Sequence, residues 1–156
     1  MNAEPDSGFE PLGGGCMCGS VRFEINEPLL GAAYCHCKRC QRRTGTAVST
    51  TGLTAVGSFR VVEGEQLVRT YDPGDGGWKK SFCGECSSQL FTTNSENADL
   101  VAVRLGAIDG DPGLRPSAHQ FVNYAASWEP LPDDGLPRFG ERLEWEGDVP
   151  SVQGPA

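Results

Sequence analysis

No apolar run in this chain extends beyond a few positions, so none reaches the roughly 20 residues that a membrane-crossing helix needs. Cations are scarce as well: 13 Lys and Arg stand against 21 Asp and Glu, for a formal charge of -8. A surface of that sign repels a polyanion unless its few basic residues cluster, so neither nucleic acid nor a membrane is an expected partner. The amino terminus, MNAEPDSGFEPLGGG, has neither the basic region nor the apolar core of a signal peptide, which makes a cytoplasmic location the expectation. A sustained helical period is also missing, apart from a possible short turn at residues 38 to 44 and around the Pro-rich C-terminal segment.

What the chain does have is punctuation. Its 21 Gly and 11 Pro make up about a fifth of 156 residues, the mark of many turns between short elements. VRFEIN sets Val21, Phe23 and Ile25 on one side and Arg22, Glu24 and Asn26 on the other, the period of a half-buried strand. Alternation or β-branched enrichment recurs in SFRVVEG, QLVRTYD, SSQLFTTN, DLVAVRLGAI and AHQFVNY, with DPGDGG and DGDPG as turn signals between runs. The expectation is a mainly β, antiparallel fold in a single domain over residues 12–146, with flexible tails at 1–11 and 147–156.

The seven cysteines are an odd number, which argues against a complete internal disulfide framework and for metal ligation. They fall into three groups: Cys16 and Cys18; Cys35, Cys37 and Cys40; Cys83 and Cys86. The first and last groups together supply the four thiolates of a closed structural zinc site. In an extended segment residues two apart share a face, so Cys16 and Cys18 can both meet a metal while Met17 points away. The C-x-x-C at Cys83 resembles a zinc knuckle, with Gly84 allowing the tight turn, and the GGG at residues 13 to 15 permits close backbone approach. A redox C-x-x-C lacks its βα context here, and a dinucleotide fingerprint fails because a strand, not a helix, follows the glycines.

Three cysteines remain. Three thiolates leave one zinc position for water or substrate, the arrangement of a catalytic site. His36 sits between Cys35 and Cys37 and faces the other way, suiting a packing or supporting role. The alternative is that all seven cysteines are structural, with His36, His119, an acidic side chain or a partner closing the second site.

The blocks GGCMCGSVRF (14–23), CHCKRCQRRTG (35–45), FCGEC (82–86) and HQFVNYAASW (119–128) resemble the glutathione-dependent formaldehyde-activating (GFA) domain family. The resemblance spans about residues 12 to 140, with all seven cysteines in the family's order. It implies an Mss4-like β-tent of antiparallel sheets around zinc, and two Zn2+ per chain. One would be structural, on Cys16, Cys18, Cys83 and Cys86, and one catalytic, on Cys35, Cys37 and Cys40. The implied activity is that of a carbon-sulfur lyase or synthase, the type case joining glutathione to formaldehyde as S-hydroxymethylglutathione. The chain departs from the family at Ser87 and Ser88, where Gly is usual, and at Ala125 and Ser127, where Lys and Pro are usual.

The expected partners are therefore a small thiol, glutathione or similar, and an aldehyde. Of the cations at Lys38, Arg39, Arg42 and Arg43, helical spacing lets at most two face the site, and Arg39 and Arg42 are the substrate-binding candidates. Gln41, Thr44 and Gly45 read as structural, with Gly45 suited to a left-handed helix cap. His119 reads first as a histidine satisfied by a core hydrogen bond and second as an acid or base, and Phe121, Trp128 and Trp145 read first as core or domain-closing aromatics and second as binding-pocket residues. The competing function is a non-catalytic zinc module that binds a protein partner.

Overall fold

The computed structural model describes residues 8–144, so Trp145, the C-terminal tail and residues 1–7 of the N-terminal tail lie outside it. Ten strands and one α-helix form among the described residues: β1 Leu12–Gly15, β2 Arg22–Ile25, β3 Gly31–Cys35, α1 Lys38–Thr44, β4 Ser49–Leu53, β5 Phe59–Glu63, β6 Val68–Tyr71, β7 Lys79–Cys83, β8 Gln89–Thr93, β9 Val101–Arg104 and β10 His119–Gln120. They make two sheets, one of order β1-β2-β5 and one of order β10-β3-β4-β9-β8-β7-β6. Every pairing is antiparallel except β10 with β3.

Alternation does what the sequence leads one to expect in β2, where Phe23 and Ile25 are buried and Arg22 and Glu24 are partly exposed. Those two apolar side chains join Val21, Leu90, Phe91, Val101 and Val103 in the main core, with the rings of Phe23 and Phe91 both against Phe59. The glycine run has a steric cause. A Cβ on Gly14 would lie 2.3 Å from the Phe23 ring and 2.4 Å from the Ala107 carbonyl oxygen, so β1 can close on β2 only without a side chain there.

Four strands carry no alternation that marks them in the sequence: β1, β3, β4 and β7. Their register nevertheless builds the site. Cys35 pairs with Ser49, Ala33 with Thr51, and Thr51 in turn with Arg104. A second row crosses four strands, from Leu53 through Ala102 and Thr92 to Lys80. Because side chains two apart share a face, all of these point to one side of the large sheet.

Candidate metal centre and adjoining cavity

The first cluster joins the connection between β1 and β2 to the end of β7 and the turn after it. Cys16, Cys18, Cys83 and Cys86 bring their sulfurs within 4.8 Å of one another. The Cys16 and Cys18 sulfurs are 3.5 Å apart and those of Cys18 and Cys83 3.9 Å. Four sulfurs at zinc's usual bond length sit about 3.8 Å from each other on a tetrahedron, so the set fits that ion. The Val21 amide donates to the Cys16 sulfur at 3.2 Å, and the Ser88 hydroxyl, 3.3 Å from the Cys86 sulfur, helps bring that thiol down to about 5. Ser88 also accepts from the Met17 amide at 2.8 Å. Ser87 lies beside it at φ 65°, a left-handed conformation in which a glycine is at ease and a serine is not. Of the departures from the family pattern, Ser88 therefore sits against this cluster, with Ser87 next to it.

Cys35, Cys37 and Cys40 form the second cluster, again with all ligand atoms within 4.8 Å. Cys35 ends β3. Cys37 caps α1, its sulfur accepting from the Cys40 amide at 3.3 Å, and Cys40 stands in the first turn, 3.4 Å sulfur to sulfur from Cys35. Hydrogen bonds from the other two thiols hold Cys40 well below the usual thiol range, while the same contacts and burial push Cys35 up. The geometry thus favours a charged sulfur at Cys40. Helix α1 stops where expected: Gly45 takes φ 67° and its amide bonds the Gln41 carbonyl oxygen at 2.8 Å. Buried Gln41 ties the cluster down, donating to the carbonyl oxygens of His36 and Tyr124, both at 2.8 Å.

His36 faces away from the sulfurs. Its Nε2 lies 2.9 Å from His119 Nδ1, and His119 Nε2 lies 2.8 Å from a carboxylate oxygen of Asp134. A neutral pair satisfies this chain in one direction: His119 donates to Asp134 and accepts from His36. Burial first, then His119, lowers the His36 pKa, in keeping with a neutral ring, and His119 is only 2% exposed. Asp134 escapes sequence reasoning because its partner is 15 positions away across irregular chain.

All three cysteines of this cluster line a cavity of about 140 Å³. Its walls include Ser49, Trp78, Lys80, Arg104, Phe121 and Arg43, with Arg39 and Arg142 also at its edge and no acidic residue among the lining. Phe121, expected first in the core and second at a binding pocket, is half-buried on this wall and adopts φ 57°. Trp128, also expected in the core, is instead exposed. Of the two candidate substrate contacts, Arg39 borders the cavity while paired with Asp75. Arg42 is exposed and lines a neighbouring groove with Tyr71, Pro73 and Phe82, which meets the cavity at Arg39, Arg43 and Lys80.

Burial, then the nearby Arg43 and Arg104, brings the Lys80 ammonium down to about 8, against the opposite pull of Cys40 and Cys37. Arg43 is likewise lowered, to about 9, by burial and by Arg104. Lys80, Arg104 and Trp78 carry no local motif; only the pairing of distant strands and the turn before β7 bring them to the cysteines.

The sequence model of the glutathione-dependent formaldehyde-activating enzyme matches residues 11–124. The chain belongs to this family. The family is enzymatic and implies glutathione and formaldehyde as substrates. A crystal structure of a Rhodobacter sphaeroides protein is similar in fold, with a TM-score of 0.54 over 81% of this chain and 98% of that one, at 23% identity. Among the described residues no helix is long and apolar enough to cross a membrane.

Proposed function

We propose that this family member is a zinc-dependent carbon-sulfur lyase or synthase that makes or breaks the bond between a small thiol and an aldehyde carbon, as in S-hydroxymethylglutathione. Cys16, Cys18, Cys83 and Cys86 hold a structural zinc in this reading. Cys35, Cys37 and Cys40 hold a second one. The observation that carries the proposal is that the cluster one ligand short is the one whose three cysteines all line a cavity.

When bound there, zinc supplies a positive centre that keeps a substrate sulfur ionised at neutral pH. The three cysteines orient that sulfur toward the cavity. Addition forms a carbon-sulfur bond from a sulfur lone pair, and the carbonyl π pair moves to oxygen, which takes up one proton. The reverse reaction returns that proton and leaves the electron pair on sulfur. Lys80 lines the cavity with a pKa of about 8, close enough to neutrality to lend and recover the proton. Arg39 and Arg42 border the cavity and its neighbouring groove, where a larger thiol such as glutathione would extend.

Exchange between free aldehyde and thiol adduct tests this. Wild-type protein is expected to accelerate it in proportion to protein concentration, and Cys40→Ser to abolish the acceleration; indifference to that substitution would defeat the reading.

A further inference from the structure

The cavity beside the second cluster is wired for more than a thiol and a neutral aldehyde. Arg104 is 8% exposed and Trp78 7% exposed, and both face the cavity. Arg104 Nε and Trp78 Nε1 have no hydrogen-bond partner among the described residues, and neither has either terminal nitrogen of Arg43. A buried donor left unpaired is costly, more so when it carries charge, so native proteins satisfy such groups. Here four of them line one small space, and three cations, Arg43, Lys80 and Arg104, converge on it. Asp75, in the neighbouring groove, is bound to Arg39. Three thiolates on a divalent zinc carry a net charge of only -1, so cationic charge remains over.

We infer that the substrate carries a carboxylate close to its reacting carbon or sulfur, and that Arg43, Arg104 and Trp78 bind that carboxylate across the cavity from Cys35, Cys37 and Cys40. Paired guanidinium donors match the planar oxyanion, and the indole N–H adds a third direction of approach. Lys80 contributes charge without fixed geometry. The small cavity volume requires the carboxylate and the reacting centre to lie within a few bonds of each other. Either partner can bring the acid: a mercapto acid as thiol, or an oxo acid as carbonyl compound. The inference relies on the proposed function only for the position of the reacting sulfur.

Calorimetric titration of the zinc-loaded full chain with propionate, which has neither thiol nor carbonyl, tests the pocket by itself. Propionate is expected to bind, propionamide not to, and Arg43→Gln or Arg104→Gln to weaken propionate about tenfold or more, as loss of a charged hydrogen bond does. Arg60→Gln, which alters only an exposed pair with Glu24, serves as the unaffected control. Equal binding of propionate and propionamide to wild type overturns the inference without reliance on any variant.

Turnover then locates the acid. Preference for 3-mercaptopropionate over 2-mercaptoethanol places it on the thiol, preference for glyoxylate over formaldehyde places it on the carbonyl compound, and preference for neither overturns the inference. Propionate binding that needs Arg43 and Arg104 in a protein without turnover would leave the carboxylate site standing and remove the proposed catalysis. Turnover of neutral substrates with no propionate binding would do the reverse.

Discussion

Replacing Cys83 by serine and Cys40 by serine should cost the fold unequal amounts, and the difference follows from where the two clusters tie the chain. The first cluster joins Cys18 to Cys83, 65 positions apart, and Cys83 is fully buried. Treated as a cross-link, closure of a loop that long removes about 4 kcal/mol of chain entropy from the unfolded state. The second cluster joins Cys35 to Cys40, five positions apart. That short loop is worth only about 2 kcal/mol on the same scale. Against a total stability of about 5–15 kcal/mol, loss of the first tie removes a large share of what holds a marginal domain folded, while loss of the second removes about half as much. Urea unfolding followed by circular dichroism, with zinc content measured on the same samples, reads the difference. At a slope of about 2 kcal/mol per molar, the two variants should differ in midpoint by about 1 M. Cys40→Ser should lose the zinc of the three-cysteine cluster and keep the other; Cys83→Ser should lose the stapling zinc and melt at the lower midpoint. A Cys40→Ser protein as unstable as Cys83→Ser would refute the division of the cysteines into a stapling set and an open set.

Other expectations follow from single residues. Asp134→Asn leaves the buried His119 without its charged acceptor and should destabilise by about 1–3 kcal/mol in urea melts, with zinc content unchanged. Ser87→Gly relieves a left-handed serine and should raise stability by up to about 1 kcal/mol. Lys80 faces Arg43, Arg104, Cys37 and Cys40, and its folded pKa of about 8 is below the ordinary lysine value, so the unfolded chain binds more protons above pH 8. Stability should therefore rise with pH from about 8 toward 10.4 as this buried charge is lost, while propionate affinity falls as the pH passes through about 8. Lys80→Met should flatten both trends, and their persistence in that variant would assign them elsewhere.

The two cysteine clusters were legible because metal ligation would impose spacing on the chain itself: C-x-C, C-x-C-x-x-C and C-x-x-C each show in a few consecutive letters. Strand β2 was legible because one face meets the core and the other meets solvent. β3 and β4 were not, since one face carries Cys35, Ser49 and Thr51 toward the cavity and the other is built for close approach. At Gly52, for instance, a Cβ would lie 2.9 Å from Leu29 Cδ1. Neither face then has the polarity that alternation detects. The basic residues showed the same limit. Arg39 and Arg42 stood out by being crowded next to the cysteines, yet Arg42 lines only the neighbouring groove. Lys80 and Arg104 come from strands 24 positions apart in the chain and reach the cysteines only through strand register. The His36–His119–Asp134 chain was half visible: a histidine expected to be satisfied in the core is so satisfied, by partners that no local pattern names.

In the proposed function the three-cysteine cluster makes and breaks carbon-sulfur bonds. Exchange NMR on the zinc-loaded protein, following label between hydrated aldehyde and thiol adduct, measures this directly against the uncatalysed background. The account predicts a rate that rises linearly with wild-type protein and returns to background in folded Cys40→Ser. Equal rates in the two proteins would contradict it and leave a zinc-stapled binding module in its place.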